Sequence, residues 1–124
     1  MSYEIKWESK GVLVRFSGYY SFEEDSNANM EICSAPQFEN LKYIIWDLSS
    51  ISELQMTGEE AVVTSMQDRL AASRLPHVKV ALLAQDKPTR KICDHYIARC
   101  RNYQMSWEFM VFDSMENIRS WVTA

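Results

Sequence analysis

Tyr43-Ile44-Ile45-Trp46-Asp47-Leu48-Ser49-Ser50-Ile51-Ser52-Glu53-Leu54-Gln55-Met56-Thr57-Gly58-Glu59-Glu60 is the stretch that decides the fold. Its first four residues are all apolar, the pattern of a strand covered on both faces. With its flanks that strand is predicted over Leu41 to Leu48. The polar segment from Asp47 to Met56 reads as a turn. Thr57 stands three residues ahead of Glu60, which is the spacing of a capping box. In that motif the hydroxyl accepts from a backbone N–H while the glutamate reaches back. The turn therefore delivers a hydroxyl and Gly58 to the start of a helix, where unpaired N–H groups and the helix dipole favour an anion.

Outward from this segment, strand and helix alternate. Tyr3 to Trp7 and Val12 to Ser17 read as two strands close enough around Ser9-Lys10-Gly11 to form an antiparallel hairpin. Val12, Val14 and Phe16 share one face of the second strand, Leu13 and Arg15 the other. Val78 to Ala84 and Trp107 to Phe112 supply two further strands. Helix starts follow at Ser21-Phe22-Glu23-Glu24, at Asp86-Lys87-Pro88 and at Asp113-Ser114-Met115-Glu116. The order β-β-α-β-α-β-α-β-α predicts a mostly parallel five-stranded sheet with an antiparallel N-terminal strand and four crossover or terminal helices. All four caps then fall at the carboxyl ends of strands, where open α/β sheets place their sites.

The helices differ in their apolar patterning. The second, from Gly58 to Leu75, carries Val62, Val63, Met66 and Leu70 on one side. The third, from Lys87 to Tyr103, has a stripe of Ile92, Cys93, Tyr96, Ile97 and Cys100 opposite Arg90, Lys91, Asp94, Arg99 and Arg101. Met115, Ile118, Trp121 and Val122 make the last amphipathic. The first, Ser21 to Ser34, has few apolar residues; it reads either as a partly exposed helix held by one or two anchors or as a lid that opens at low cost.

Composition narrows the function classes. The 124 residues are 47% hydrophobic and 24% charged, with 3 Gly and 3 Pro, as expected of one globular domain over 1–124. No apolar run reaches the roughly 18 residues of a membrane span, and the N-terminus has no signal-peptide pattern. Cys33, Cys93 and Cys100 form no CxxC pair, which fits free thiols in a reducing cytoplasm. A net charge of −4 argues against nucleic acid as a partner. That charge is split: residues 1–60 hold 11 acids and 4 bases, residues 69–101 hold 8 bases and 2 acids. The halves read as solvated faces, or as a docking surface for an acidic partner or anionic headgroups.

No GxSxG, Walker A, GxGxxG or HExxH occurs. His77 and His95 have no Cys or carboxylate at a metal-ligand spacing, and Asp94 and His95, adjacent on a helix, point apart. Glu23/Glu24 and Glu59/Glu60 sit in first helical turns, where acids suit the dipole. Cys93 and Cys100, seven apart, turn toward the core as buried thiols. The expectation is a protein without catalytic residues, cofactor or metal. Phe22, Tyr43, Trp46, Trp107 and Phe109 are expected to cluster on the sheet. Alternatively they line an apolar cleft between the sheet and the first two helices, with Tyr19, Tyr20, Phe22 and Trp46 at its rim.

The element order, over nearly the whole chain, resembles the STAS domain. That family's pattern after the central strand is Asp-Leu-Ser-Gly, four residues, then Asp-Ser-Ser-Gly. Asp47-Leu48-Ser49 match, and Ser50 stands at the glycine. Ile51 to Leu54 fill the spacer. Gln55 replaces the Asp, Met56 the first Ser, Thr57 falls on the second Ser, and Gly58 matches. Phe112-Asp113-Ser114-Met115-Glu116-Asn117-Ile118-Arg119-Ser120-Trp121-Val122 resembles the ending of a divergent SpoIIAA-like branch grouped with Sec14-type lipid-binding folds. The resemblance implies a non-enzymatic binding or regulatory module that engages a protein partner through Asp47, Ser49, Ser50, Gln55, Met56, Thr57 and Gly58. Thr57 stands at the family's phosphorylated position, although Gln55 departs from the pattern and Glu59 and Glu60 oppose an added phosphate. The alternative is a carrier of a small apolar molecule that visits membranes through Arg90, Lys91, Arg99 and Arg101.

Overall fold

The computed structural model describes residues 2–124. Five strands form one sheet in the order of the chain: β1 (Tyr3–Trp7), β2 (Gly11–Tyr20), β3 (Tyr43–Leu54), β4 (Lys79–Leu83) and β5 (Glu108–Phe112). β1 runs antiparallel to β2, and every later pair is parallel. Four α-helices follow β2, β3, β4 and β5: α1 (Phe22–Ser34), α2 (Gly58–Arg74), α3 (Lys87–Asn102) and α4 (Met115–Val122). A 3₁₀ turn, Pro36–Asn40, leads into β3.

Strands are added always on the same side, so right-handed crossovers place α1, α2 and α3 together on one face. That face holds the larger core, built on Val12, Val14 and Phe16 of β2 and Ile44 and Trp46 of β3. The alternate residues Leu13, Tyr43, Ile45, Ala81 and Leu83 point to the other face, where Ile118 and Val122 of α4 cover them. β3 is the central strand and is apolar on both faces for this reason. Tyr43 therefore leaves the aromatic group expected around it, because its position in the strand's two-residue alternation puts it on the α4 side. On the three-helix side, Phe16 contacts Tyr3, Tyr20 and Trp46, at centroid distances of 5.8, 4.8 and 6.0 Å. Trp107 and Phe109 form a second group with Tyr96.

Two expectations are corrected. The segment from Asp47 to Met56 is not a turn: β3 continues as strand to Leu54, paired with Ser17–Tyr20 of β2. Two register shifts put extra residues on β3, between Arg15 and Ser17 and between Gly18 and Tyr19. Gly18 adopts a φ of +71°, which a glycine takes without strain, at this irregularity. β4 pairs with β3 only as far as Asp47, so β2 and β3 run on beyond it as a two-stranded arm. The second correction concerns α2. The side carrying Val63, Met66 and Leu70 faces solvent, and Val62 is only partly covered. Ala61, Thr64, Ser65, Asp68 and Ala71 face inward instead. They recur at helical spacing too, and their small side chains let α2 approach the layer closely.

At the opposite end of the sheet, Glu8 joins three elements. Arg119 of α4 donates to both its carboxylate oxygens, at 2.6 and 2.8 Å, and the Tyr43 hydroxyl donates to Oε1. The Arg119 hydrogen bonds, with help from Tyr43, outweigh desolvation and hold the Glu8 carboxyl down at about 2.

Candidate functional site

The carboxyl ends of the strands carry all four helix caps. Ser21, Thr57, Asp86 and Ser114 each accept from the backbone N–H three residues on. At Thr57 the box is complete. Oγ1 accepts from Glu60 N at 3.1 Å, and Glu60 Oε1 accepts from Thr57 N at 3.0 Å. Thr57 is exposed, at the mouth of α2. His95 of α3 lies beside Gly58, within van der Waals reach of where a Cβ would stand.

Asp47 occupies a different setting. It is buried in β3, where Oδ1 accepts from the Ser49 backbone and hydroxyl at 2.9 and 2.6 Å, and Oδ2 accepts from Arg15 Nε at 3.0 Å. The carboxylate is thus occupied in holding the start of the arm. Ser49, Ser50 and Gln55 are exposed, and Gln55 N donates to Tyr20 O to close the arm. Met56 is buried and turns inward, away from Thr57.

Met56 leads to a cavity of about 30 Å³, partly open to solvent, between the sheet and α1, α2 and α3. Tyr20 and Trp46, expected at such a rim, line it; Phe22 is half-buried beside the core, and Tyr19 is exposed on the arm. Its polar wall was not foreseen. Asp25 of α1 and Asp68 of α2, each 4% exposed, face into it with Asn29 and Thr64. Tyr20 donates to Asp25 Oδ1 at 2.8 Å, and the Tyr96 hydroxyl donates to Asp68 Oδ2. Asp25 Oδ2 has no partner. Burial raises the Asp25 carboxyl to about 6, against the pull of the Tyr20 hydrogen bond. Burial raises Asp68 to about 7, opposed by the Tyr96 hydrogen bond and reinforced by the charge of Asp25.

Two other groups lie outside this cavity's acidic pair. On α3, Arg90 and Arg101 donate to the backbone oxygens of Ala84 and Phe109, at 3.0 Å each; Lys91, Arg99 and Arg101 are exposed, and Arg90 is partly covered. Cys93 and Cys100 are buried as expected, and burial drives both thiols up, Cys93 to about 12. Such thiols are protonated and poor nucleophiles. Among the described residues, all three cysteines are free, no helix is long and apolar enough to cross a membrane, and no three His, Cys, Asp or Glu side chains gather as metal ligands.

Comparison of sequences finds no matching family model and no significantly similar curated protein. Comparison of structures gives a consistent answer. The anti-sigma factor antagonist SpoIIAA in its unphosphorylated form superposes with a TM-score of 0.62 at 15% identity, over 98% of both chains. The phosphorylated form of SpoIIAA, a cell fate determinant of Bacillus, gives 0.61 at 15% identity, over 97% of this chain and 98% of that one. An uncharacterized DUF3478 protein from Shewanella loihica PV-4 gives 0.57 at 13% identity, over 97% and 91%. The third is itself described as having a SpoIIAA-like fold. End to end, and with β3 at its centre, this chain has the SpoIIAA-like α/β fold.

Proposed function

We infer that the domain is a non-enzymatic regulatory module of the STAS type that engages a protein partner through the Thr57 end and the outer face of α2. The observation that carries this reading is the row Val63, Met66 and Leu70, which are 43%, 53% and 72% exposed on the helix that Thr57 caps. Apolar side chains grouped on one exposed face mark interaction surfaces. The fold adds support, since the similar SpoIIAA structures include a phosphorylated and an unphosphorylated form. Thr57, exposed at the head of α2, is the hydroxyl to which we assign such a modification. A phosphate on it would meet the positive end of the α2 dipole but also Glu59 and Glu60, and its ester oxygen would disturb the capping box.

The test compares wild-type protein with Thr57→Asp and with Met66→Asp/Leu70→Asp. Each is used as bait on lysate of the source cell, and the affinity of any captured protein is then measured with purified components. The reading expects one partner whose binding falls at least tenfold in the α2 variant and changes in Thr57→Asp, with unfolding midpoints unaltered. Equal affinity for all three proteins overturns it.

The carrier alternative rests on the cavity beside α1. At about 30 Å³ that space holds about two water-sized groups. An acyl chain therefore enters only with α1 displaced, and native mass spectrometry showing the bare 14.5 kDa chain removes this reading.

A further inference from the structure

The same cavity has features that neither reading uses. Two carboxyl groups, from different helices, are withdrawn from solvent in it, and none of its lining residues is basic. One of their oxygens, Asp25 Oδ2, has no hydrogen-bond partner. The Thr64 hydroxyl, which lines the same cavity, donates to Glu60 O at 3.2 Å. A buried carboxylate without a partner is costly. That cost is relieved either by a proton or by a cation that donates hydrogen bonds. Much of the remaining wall is apolar and aromatic, with Trp46, Met56 and Ile92.

We propose that this cavity binds a small primary ammonium group, with Asp25 and Asp68 as its paired counter-ions and Trp46, Met56 and Ile92 around its carbon substituent. An ammonium carries three donors in a compact head, which suits one free carboxylate oxygen on α1, the Asp68 carboxylate on α2 and the side chain of Asn29. The Trp46 ring adds a cation–π surface. The volume admits a head and one carbon, the size of methylammonium. A metal ion is a poorer fit, because no third ligating side chain of His, Cys, Asp or Glu joins the pair.

The site competes with protons. The titratable groups facing the two acids are Tyr20 from β2, Cys33 from α1, and Cys93, Tyr96 and Cys100 from α3; the bases beyond them are Arg74 of α2 near Cys33 and Arg90 of α3 near Cys93, the latter with Asp86 and Asp94 around it. The tyrosines and the buried thiols of α3 stay neutral through the physiological range because burial raises them. Among the groups facing the cavity, Asp25 and Asp68 are therefore the ones whose charge changes between pH 5 and pH 8, and ammonium binding strengthens as they ionise.

The experiment titrates methylammonium chloride into the wild-type domain at pH 8 and pH 5, with sodium chloride at matched ionic strength, and reads the thermal midpoint and the ¹H–¹⁵N spectrum. The proposal expects a saturable rise in midpoint at pH 8, weakened about tenfold or more at pH 5. Spectral changes should centre on Tyr20, Asp25, Asp68 and Tyr96. Ethanol and tetramethylammonium, lacking the charged donors, should give no such response. Asp25→Asn and Asp68→Asn should each weaken binding about tenfold. A response equal to that of sodium chloride overturns the proposal. So does one shared by tetramethylammonium, or one mapped only to the surface. Should either variant unfold, the wild-type spectral map decides alone. The partner reading stands or falls separately, on the α2 face.

Discussion

Gly11 shows how far one residue reaches. A Cβ built there would overlap the Tyr43 ring, which is buried and cannot swing aside. Gly11→Ala is therefore expected to lose about 1–3 kcal/mol by overpacking, read as a lowered urea midpoint. Because Tyr43 donates to Glu8, the same change should loosen the Arg119 contact. The ionisable residues set a pH profile with two limbs. Glu8, held down from 4.5 to about 2, contributes stability that is present above pH 4.5 and is lost as pH falls through 2. Asp25 and Asp68 act with the opposite sign. Their folded forms keep a proton to about 6 and 7, while the unfolded chain releases it near 3.8. Stability should thus decline as pH rises from about 4 through 7, and Asp68→Asn should flatten that limb in urea titrations at pH 5 and pH 8. Asp25 was hidden in the sequence among the acids of a first helical turn, Glu23-Glu24-Asp25, where a charge on the dipole explains all three equally well. Tertiary structure separates the third from the other two, through Tyr20 of β2 and the approach of α2.

At the scale of the element, caps were the most legible signal, because a cap depends on residues three apart. Ser21 and Thr57 cap as the sequence predicts; at the last helix the cap is Ser114 rather than Asp113. Thr57→Ala should cost about 1 kcal/mol through the capping box. Thr57→Asp keeps an acceptor at the N-cap and should preserve the midpoint, so the pair of variants separates helix stability from partner binding in one denaturation series. The arm was misread as a turn because serines and Gln55 carry little strand preference; its strand state depends on β2 running alongside to Tyr20. On α2 two stripes competed. Periodicity favoured the larger apolar residues, yet close packing against α3 selected Ala61, Ser65 and Asp68, the last because Tyr96 supplies its hydrogen bond.

At the scale of the whole molecule, topology followed from the alternation of elements, and function did not, because a shared α/β frame hosts unrelated sites. The sequence carried Thr57 and the cavity-lining Tyr20, Trp46 and Met56, but not the acids that share the cavity with them. With α2's larger side chains outside the core, Met66→Asp/Leu70→Asp should alter folding stability by no more than about 0.5 kcal/mol, measured by urea unfolding. A larger loss would mean that this face packs against the domain itself. Cys93 and Cys100 offer one more use. Both thiols lie beneath α3 and react only when that helix lifts away, so the rate of alkylation is a native stopwatch for breathing of the helical layer, and any occupant that clamps α1 to its neighbours will slow the clock.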